Sequence, residues 1–373
     1  MLLLGDSQYS EFTLGLPVFN STQFRDLISG RQRGIWPACL RGVLLLIEWP
    51  YRWVMECRNR RYDQGRSKIH AMEVPVISVG NLTLGGTGKT PLVEWLTQFL
   101  TDQDLRVAIV SRGYGADLGQ KNDEAQELEL ALPTVPHIQN RDRVAGSRQA
   151  IGEEKAQVIV LDDGFQHRRL GRDLDITLLD ATEPWGFNHV FPRGTLREPP
   201  AGLARCQVVM LSRASMLEPA ARHAIQQQAA SLAPTALWCE VDHGPEKLIN
   251  SEGQEMPLAA LSGKRIAAFC GIGNPEGFRY TLDSFSEELV RWREFPDHHA
   301  YTQQDTVSLS NWAQGANLVI CTRKDLVKLR RSDLGGIPLW ALSIRLAFLD
   351  GEELFKTVLR QVTQTQILKS ECQ

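Results

Sequence analysis

The sequence predicts an α/β protein of two lobes, with a mostly parallel sheet covered by helices and an amphipathic helical segment before it. From residue 74 onward, short apolar runs alternate with helical stretches, which is the pattern of parallel strands joined by helices. A break near residues 243–263 interrupts this alternation, and a second set of apolar runs follows it. The two sets indicate two lobes.

The predicted elements divide the chain of 373 residues into five parts, and this length is enough for one large or two medium cores. The candidate strands are residues 74–79, 107–111, 158–161, 176–179, 208–211, 266–270, 289–292, 318–321 and 339–344. Helices are expected between them, for example over residues 303–313 and 351–362. The predicted parts are a variable lead-in (1–22), an amphipathic helical segment (23–70), a first lobe (71–243), a linker (244–263) and a second α/β lobe (264–373).

Composition argues against several classes of protein. The formal net charge of -3 gives no global attraction to nucleic acid, so a nucleic-acid partner is not expected. The seven cysteines are scattered and never spaced as metal-binding pairs, which is typical of reduced thiols in a cytosolic protein. The N-terminus lacks the basic start and long apolar region of a secretory signal, so export is not expected.

The segment from residue 36 to residue 55 is predicted to be an amphipathic helix. Its apolar residues recur at helical spacing: Leu40, Val43, Leu44, Ile47, Tyr51 and Val54. Pro50 is expected to kink or break this helix, and the charges of Arg41, Glu48 and Arg52 interrupt it too often for a membrane span. Its tryptophans and flanking arginines suit a membrane surface, whereas a core helix with solvated arginines is the alternative.

A phosphate-binding loop follows the first strand. The run Thr83-Leu84-Gly85-Gly86-Thr87-Gly88-Lys89-Thr90 lies between that strand and an amphipathic helix, which is the setting of a Walker A loop. Its backbone amides would cradle phosphates, Lys89 would reach the β and γ phosphates, and Thr90 would bind Mg²⁺. The first lobe is therefore predicted to be P-loop NTPase-like, with a glycine-rich helix cap as the alternative.

Acidic residues end the strand at residues 158–161. In a P-loop protein, a carboxylate at such a strand end holds Mg²⁺ or its water ligands, so Asp162 and Asp163 are candidate metal residues. The alternative is that the two aspartates shape the turn before Gly164.

Other polar residues are candidates for the remainder of the site. Arg112 follows a strand, and Asp123 and Glu124 follow it in a polar stretch where capping of the next helix is the alternative. Gln166 and His167 come soon after the two aspartates. Further candidates are His298, which could instead be a structural histidine, and Arg197, which could be a solvated surface residue.

Several of these runs together resemble one family, the tetraacyldisaccharide 4'-kinases that act in lipid A biosynthesis. The matching runs are Arg58-Asn59-Arg60-Arg61-Tyr62-Asp63, residues 79–91, residues 111–115, Asp123-Glu124, Arg141-Asp142-Arg143-Val144, residues 162–167, Leu196-Arg197-Glu198-Pro199, Gly271-Ile272-Gly273-Asn274-Pro275 and residues 295–298. They extend from about residue 24 to the end of the chain. A threonine at the first Walker position, here Thr83, is itself typical of the family.

The resemblance implies an activity, cofactors and a location. It implies transfer of the ATP γ-phosphate, with Mg²⁺, to the 4'-hydroxyl of an acylated glucosamine disaccharide 1-phosphate. The product would be lipid IVA, formed at the cytoplasmic face of the inner membrane by a peripheral or monotopic enzyme. The resemblance also favours the membrane surface as the partner of the N-terminal segment.

The same resemblance assigns roles to individual residues. Lys89 and Thr90 would serve phosphate and Mg²⁺, Asp162 and Asp163 the metal region, and Asp123 with His298 would be the base for the sugar hydroxyl. Glu124, Gln166 and Arg197 match motif residues near nucleotide or metal. The sequence differs from the family pattern at Lys121-Asn122, where a small, glycine-containing lead is expected, and at Arg323, where glutamate is usual.

Two other classes of function remain open at this level. One is a P-loop GTPase switch or metallochaperone-like NTPase, because residues 322–325 weakly resemble a guanine-reading loop. The other is a membrane-bound adaptor that binds nucleotide without turnover.

Overall fold

The structure, a computed structural model, describes residues 21–113, 123–283, 285, 288–297 and 299–371, without the side chains of residues 21, 22, 124 and 365–371. Most of the predicted lead-in (1–22) lies outside this part of the chain. The same is true of Tyr114, Asn122 and His298, and of the Glu124 side chain.

Helices and strands alternate along most of the described chain. The helices are α1 (Ser21–Ser29), α2 (Ile35–Asp63), α3 (Lys89–Thr101), α4 (Asp123–Ala131), α5 (Arg143–Gly152), α6 (Pro219–Leu232), α7 (Pro275–Asp283), α8 (Gln303–Trp312), α9 (Arg323–Leu329) and α10 (Glu352–Glu371). The strands are β1 (Val76–Asn81), β2 (Val107–Ser111), β3 (His137–Gln139), β4 (Val158–Asp162), β5 (Leu174–Asp180), β6 (Val208–Ser212), β7 (Leu237–Ile249), β8 (Glu255–Pro257), β9 (Ile266–Cys270), β10 (Leu289–Glu294), β11 (Leu318–Thr322), β12 (Asp333–Leu334) and β13 (Ile337–Asp350).

The strands form one continuous sheet in the order β10-β9-β11-β13-β7-β6-β5-β1-β4-β2-β3, with β8 paired to β7 and β12 to β13. Its long central run from β3 to β6 is parallel. The pairs β7–β13, β7–β8 and β12–β13 are antiparallel. The predicted α/β class with a mostly parallel sheet is confirmed.

Strand β7 joins the two halves of this sheet. Its first residues pair in parallel with β6, and the strand then continues antiparallel to β13 as far as Ile249. Residues 244–249, predicted as the start of a linker, are therefore strand. Gly244 and Pro245 are typical of a break, but they lie where the register with β13 shifts, and such an irregularity tolerates both residues. The division into lobes at residues 71–243 and 264–373 stays a prediction.

Helix α3 covers the sheet beside β1. Leu92, Leu96 and Leu100 recur every four residues on one face and are completely buried in the core of the first half. Full burial of a leucine side chain is worth about 1.5–3 kcal/mol relative to exposure. This packing fixes the first turn of α3 at the carboxyl end of β1.

Helix α2 presents an apolar surface to solvent. Ile35, Trp36, Leu46, Trp49 and Trp53 are each more than 60% exposed. Across the described part of the chain, no helix is long and apolar enough to cross a membrane. Pro50 was predicted to kink or break this helix, and it does not break it, because α2 runs through this residue. Contacts on both sides hold it: Glu48 accepts from the amide of Val190, and the hydroxyl of Tyr51 donates to the carbonyl of Arg197.

Candidate functional site

The loop between β1 and α3 has the backbone of a phosphate cradle. Gly85 and Gly88 have φ angles of 112° and 83°, which side-chain-bearing residues rarely adopt, and α3 begins at Lys89. A Cβ on Gly88 would lie 2.1 Å from Cε1 of His243 on β7. Only glycine fits there, and the loop presents backbone amides and a helix N-terminus to any ligand.

Neighbouring strand ends hold this loop by its carbonyl oxygens. The hydroxyl of Ser212, at the end of β6, donates to the carbonyl of Thr87 at 2.8 Å. Arg213 donates to the carbonyl of Gly86 at 2.9 Å and also pairs with Asp180 at the end of β5. Thr83 forms a bridge with Leu196. The cradle is therefore braced from the β5–β6 side by Ser212 and Arg213.

Lys89 meets an acidic partner beside the loop. Its Nζ lies 3.5 Å from Oδ1 of Asp163 and 3.3 Å from Oδ1 of Asn81. Arg197 donates to both oxygens of Asp163, at 2.8 and 2.7 Å. Burial works against ionisation of Asp163, but the two cations outweigh it and lower its pKa. The carboxylate is thus ionised and enclosed by cations.

Asp162 reaches the same edge of the sheet from β4. It is the last residue of that strand, pairs in register with Val79 of β1, and is 5% exposed. Asp163 follows with a left-handed φ of 55°, which aspartate tolerates better than most residues. Both predicted aspartates therefore lie next to the phosphate cradle.

Gln166 occupies a supporting position. Its Nε2 donates to the carbonyl of Asn81 at 2.9 Å and to Oε1 of Glu198 at 3.1 Å. Glu198 is 1% exposed and also accepts from Arg205 and from Asn59 of α2. The described contacts of Gln166 thus tie α2 and the segment carrying Arg197 to the end of β1.

Asp123 is the first residue of α4. Its Oδ2 lies 3.0 Å from Nζ of Lys328 on α9. One turn earlier on α9, Lys324 lies 3.2 Å from Oδ1 of Asp297, the residue before His298. A single helix therefore contacts the start of α4 and the segment that leads to His298. The pairing of Asp123 with His298 stays a prediction, because His298 lies outside the described residues.

Sequence reasoning missed four residues that shape the cradle: Asp180, Ser212, Arg213 and His243. Asp180 ends β5, which pairs with β1, and Ser212 ends β6, the next parallel strand, so the rule that ligands gather at carboxyl strand ends could have found them. His243 gave no such signal, because no strand was predicted over residues 237–249.

The oxygen donors near the cradle suit Mg²⁺. A threonine hydroxyl at the start of α3 and a strand-end carboxylate are the donor types that Mg²⁺ takes from proteins, with nucleotide phosphates and water completing the shell. In the part of the chain that the structure describes, no group of three or more His, Cys, Asp or Glu residues could hold a metal by itself.

Comparisons with known proteins identify a family for this arrangement. Residues 40–364 match the family model of the tetraacyldisaccharide-1-P 4'-kinases. A tetraacyldisaccharide 4'-kinase of Anaeromyxobacter dehalogenans is 38% identical over 308 residues, covering 77% of this chain and 80% of that protein. One of Syntrophus aciditrophicus is 36% identical over 323 residues, covering 79% and 86%.

A solved structure agrees with the sequence comparisons. The crystal structure of LpxK from Aquifex aeolicus in complex with ATP has a TM-score of 0.70 and 29% identity, covering 87% of this chain and 99% of that one. Family model, relatives and fold coincide over most of the length. This chain therefore belongs to the tetraacyldisaccharide-1-P 4'-kinase family.

Proposed function

We propose that this protein transfers the γ-phosphate of ATP to the 4'-hydroxyl of a tetraacylated glucosamine disaccharide 1-phosphate, giving lipid IVA. The observation that carries the proposal is the meeting of Lys89, Asp162 and Asp163 at the cradle between β1 and α3. Family membership favours this kinase over a GTPase switch or a metallochaperone-like NTPase.

The nucleotide would be held by Thr83, Gly85, Gly86, Thr87 and Gly88 together with Lys89 and Thr90. Their amides and the Lys89 ammonium would neutralise the phosphates, while Gln166 and Arg197 support the edge of the site. Mg²⁺ would bind to Thr90 and Asp162 and would offset charge on the transferred group. Asp163 already accepts from two cations, which favours Asp162 as the direct metal ligand. Glu124 is a further candidate from sequence alone.

Asp123 would orient and deprotonate the sugar hydroxyl, and His298 would tune its basicity. Support comes from α9, whose Lys324 and Lys328 bring Asp297 and Asp123 to the same helix. Phosphoryl transfer needs little covalent chemistry from the protein, so placement of the hydroxyl and charge stabilisation should supply most of the rate.

The exposed face of α2 would dock the enzyme on the cytoplasmic face of the inner membrane. Trp49 and Trp53 can lie at the level of lipid headgroups, with Leu46 inserted below them and nearby arginines facing anionic lipid. The contacts of α2 with Arg197 and Glu198 would then hold the active site close to the membrane, where the acylated substrate resides.

The enzymatic test is incubation of the purified protein in detergent with γ-labelled ATP, Mg²⁺ and the tetraacylated disaccharide 1-phosphate. Chromatography should show label in a bisphosphorylated lipid. Lys89→Met should abolish this product. Lys155→Met should leave it unchanged, because this exposed lysine precedes the amino end of β4, opposite the end that carries Asp162. Label only as free phosphate would contradict the proposed kinase and favour a switch NTPase.

The membrane test is co-sedimentation with vesicles of phosphatidylethanolamine and phosphatidylglycerol. Leu46→Ser with Trp49→Ser should lower the bound fraction, because both side chains are about three-quarters exposed on α2. The matched control is Leu354→Ser, which removes an exposed leucine from α10. Equal binding of all three proteins would argue against docking through α2.

A further inference from the structure

Helix α9 has two lysines that reach acidic residues beside the proposed active site. Lys324 and Lys328 are 15% and 10% exposed and lie 3.2 Å from Asp297 and 3.0 Å from Asp123, respectively. Residues four apart share one face of a helix. This face of α9 therefore contacts both the start of α4 and the segment after β10.

Arg323 fixes α9 against the first half of the molecule. Its side chain is 4% exposed, donates to both carboxylate oxygens of Glu94 of α3 at 3.2 and 2.5 Å, and lies 3.4 Å from Glu127 of α4. Burial opposes its charge, but Glu127 and Glu94 together raise the pKa of Arg323. This arginine, which departs from the family pattern, thus has two acidic partners in this chain and links α9 to the helices that begin at Lys89 and Asp123.

Asp325 fixes α9 within the second half. It is completely buried, bonds to the hydroxyl of Thr322 and accepts from the hydroxyl of Tyr301 at 2.9 Å and from the amide of Gly271 at 3.1 Å. Arg323 and Asp325 hold α9 against both halves of the molecule. The helix is therefore a rigid support for the Lys328 ammonium.

We propose that Lys328 is a positioning residue for phosphoryl transfer: it holds Asp123 by Oδ2 and so sets the direction in which that carboxylate meets the sugar hydroxyl. The inference rests on the proposed role of Asp123 as the base. Because a displacement of about 1 Å in a reacting group can cost a hundredfold in rate, loss of this contact should lower kcat. A purely structural ion pair between α4 and α9 would instead affect folding or all kinetic constants alike.

The test compares Lys328→Met, Lys328→Arg and Arg330→Gln. Lys328→Met should lower kcat about ten- to a hundredfold, with the KM for ATP within about twofold of wild type, because Lys328 pairs with Asp123 and not with a residue that would hold the nucleotide. Lys328→Arg keeps the charge and should recover part of the loss. Arg330→Gln removes a 3.2 Å contact between the residue that follows α9 and Gln126 of α4, leaves the Lys328–Asp123 pair in place, and should match wild type.

A second pair of variants separates positioning from structure. Asp123→Asn should be slow, and adding Lys328→Met to it should change the residual rate by less than twofold, because Lys328 acts through the carboxylate. If Lys328→Met slows the Asp123→Asn enzyme by the same factor as wild type, or leaves wild-type kcat unchanged, the inference is wrong. Thermal midpoints check folding, and Lys328→Gln replaces Lys328→Met if the latter is unstable.

These outcomes are distinct from failure of the proposed function. Wild-type protein that gives no labelled lipid removes the kinase proposal and the inference together. Labelled lipid from wild type, with full turnover by Asp123→Asn, removes only the base assignment and with it the role of Lys328.

Discussion

Nη1 of Arg197 lies 2.8 and 2.7 Å from the two carboxylate oxygens of Asp163, so one nitrogen makes both contacts. Lys89 approaches the same carboxylate at 3.5 Å. These contacts connect the segment around Arg197, which packs against α2, to the phosphate cradle. Arg197 thus holds Asp163 through contacts that do not involve Lys89.

Replacement of Arg197 should impair use of ATP. A hydrogen bond to a charged group contributes about 1.5–3 kcal/mol, so Arg197→Met should lower kcat/KM for ATP by about tenfold or more. Arg197→Lys should keep more activity, because a single nitrogen makes both contacts. The control is Arg222→Met, whose partner Glu240 lies outside the site. Identical ATP kinetics for Arg197→Met and wild type would contradict a role near the nucleotide.

Two glycines of the cradle should respond differently to alanine. At Gly88 a Cβ meets the ring of His243 at 2.1 Å, and φ is 83°. At Gly86 no atom lies within 4 Å and φ is not positive. Gly88→Ala should therefore cost about 1–3 kcal/mol in backbone strain alone and should abolish ATP binding, whereas Gly86→Ala should be mild.

Urea unfolding and binding of a fluorescent ATP analogue measure these two effects. Equal loss of stability and of binding in both variants would mean that the contact with His243 does not govern the cradle.

Most of the fold could be predicted from sequence because buried parallel strands are apolar along their whole length. Each of the nine predicted strands is present, and β1 begins only two residues later than expected. β7 escaped prediction because Asp242, His243, Gly244 and Pro245 interrupt its pattern, although its pairing with β13 tolerates them. The sequence also did not predict that the helix continues through Pro50. Tertiary contacts on both sides of this residue stabilise a helix that local propensity disfavours.

The site was predictable where one local run carries the chemistry. The spacing of residues in the run around Lys89 and at the strand end at Asp162 predicts both parts of the site. The structure brings the two parts together. Contacts between distant residues gave no such signal. Nothing near Asp123 in sequence indicates Lys328, and nothing near Gly88 indicates His243, because each pair forms only when the sheet is assembled.

His243 should make the protein less stable in mild acid. Burial, together with nearby Arg213, lowers the pKa of His243 from 6.5 to about 4, and its Nε2 has no hydrogen-bond partner among the described residues. Between these values the unfolded chain binds a proton that the folded chain does not. The free energy of unfolding should therefore be highest above pH 6.5 and should decrease toward pH 4, by at most about 1.4 kcal/mol per pH unit.

Urea unfolding of wild type and His243→Gln at pH 7, 6 and 5 measures this dependence. The variant should lose less stability than wild type on acidification. Parallel curves would mean that the ring accepts a proton in the folded state without cost. His167, whose pKa burial also lowers to about 4, is unchanged in both proteins and cancels in the comparison.

Two glutamates of α2 should differ in what their removal costs. Glu48 accepts from the amide of Val190 at 2.8 Å and contacts Nδ1 of His189 at 2.9 Å, and its side chain is 7% exposed. Glu56 pairs with Arg52 at the surface. Glu48→Ala leaves a buried amide without its acceptor, which costs about 1–3 kcal/mol, whereas an exposed pair is worth about 0–1 kcal/mol.

The change at Glu48 should also reach the active site. Val190 forms a bridge with Leu196, and Leu196 with Thr83, so this segment connects α2 to both Arg197 and the cradle. Glu48→Ala should therefore lower the urea midpoint and raise the KM for ATP, while Glu56→Ala should change neither. A destabilised Glu48→Ala enzyme with an unaltered KM would indicate that α2 is anchored independently of the cradle, and that membrane docking does not act on the nucleotide through this segment.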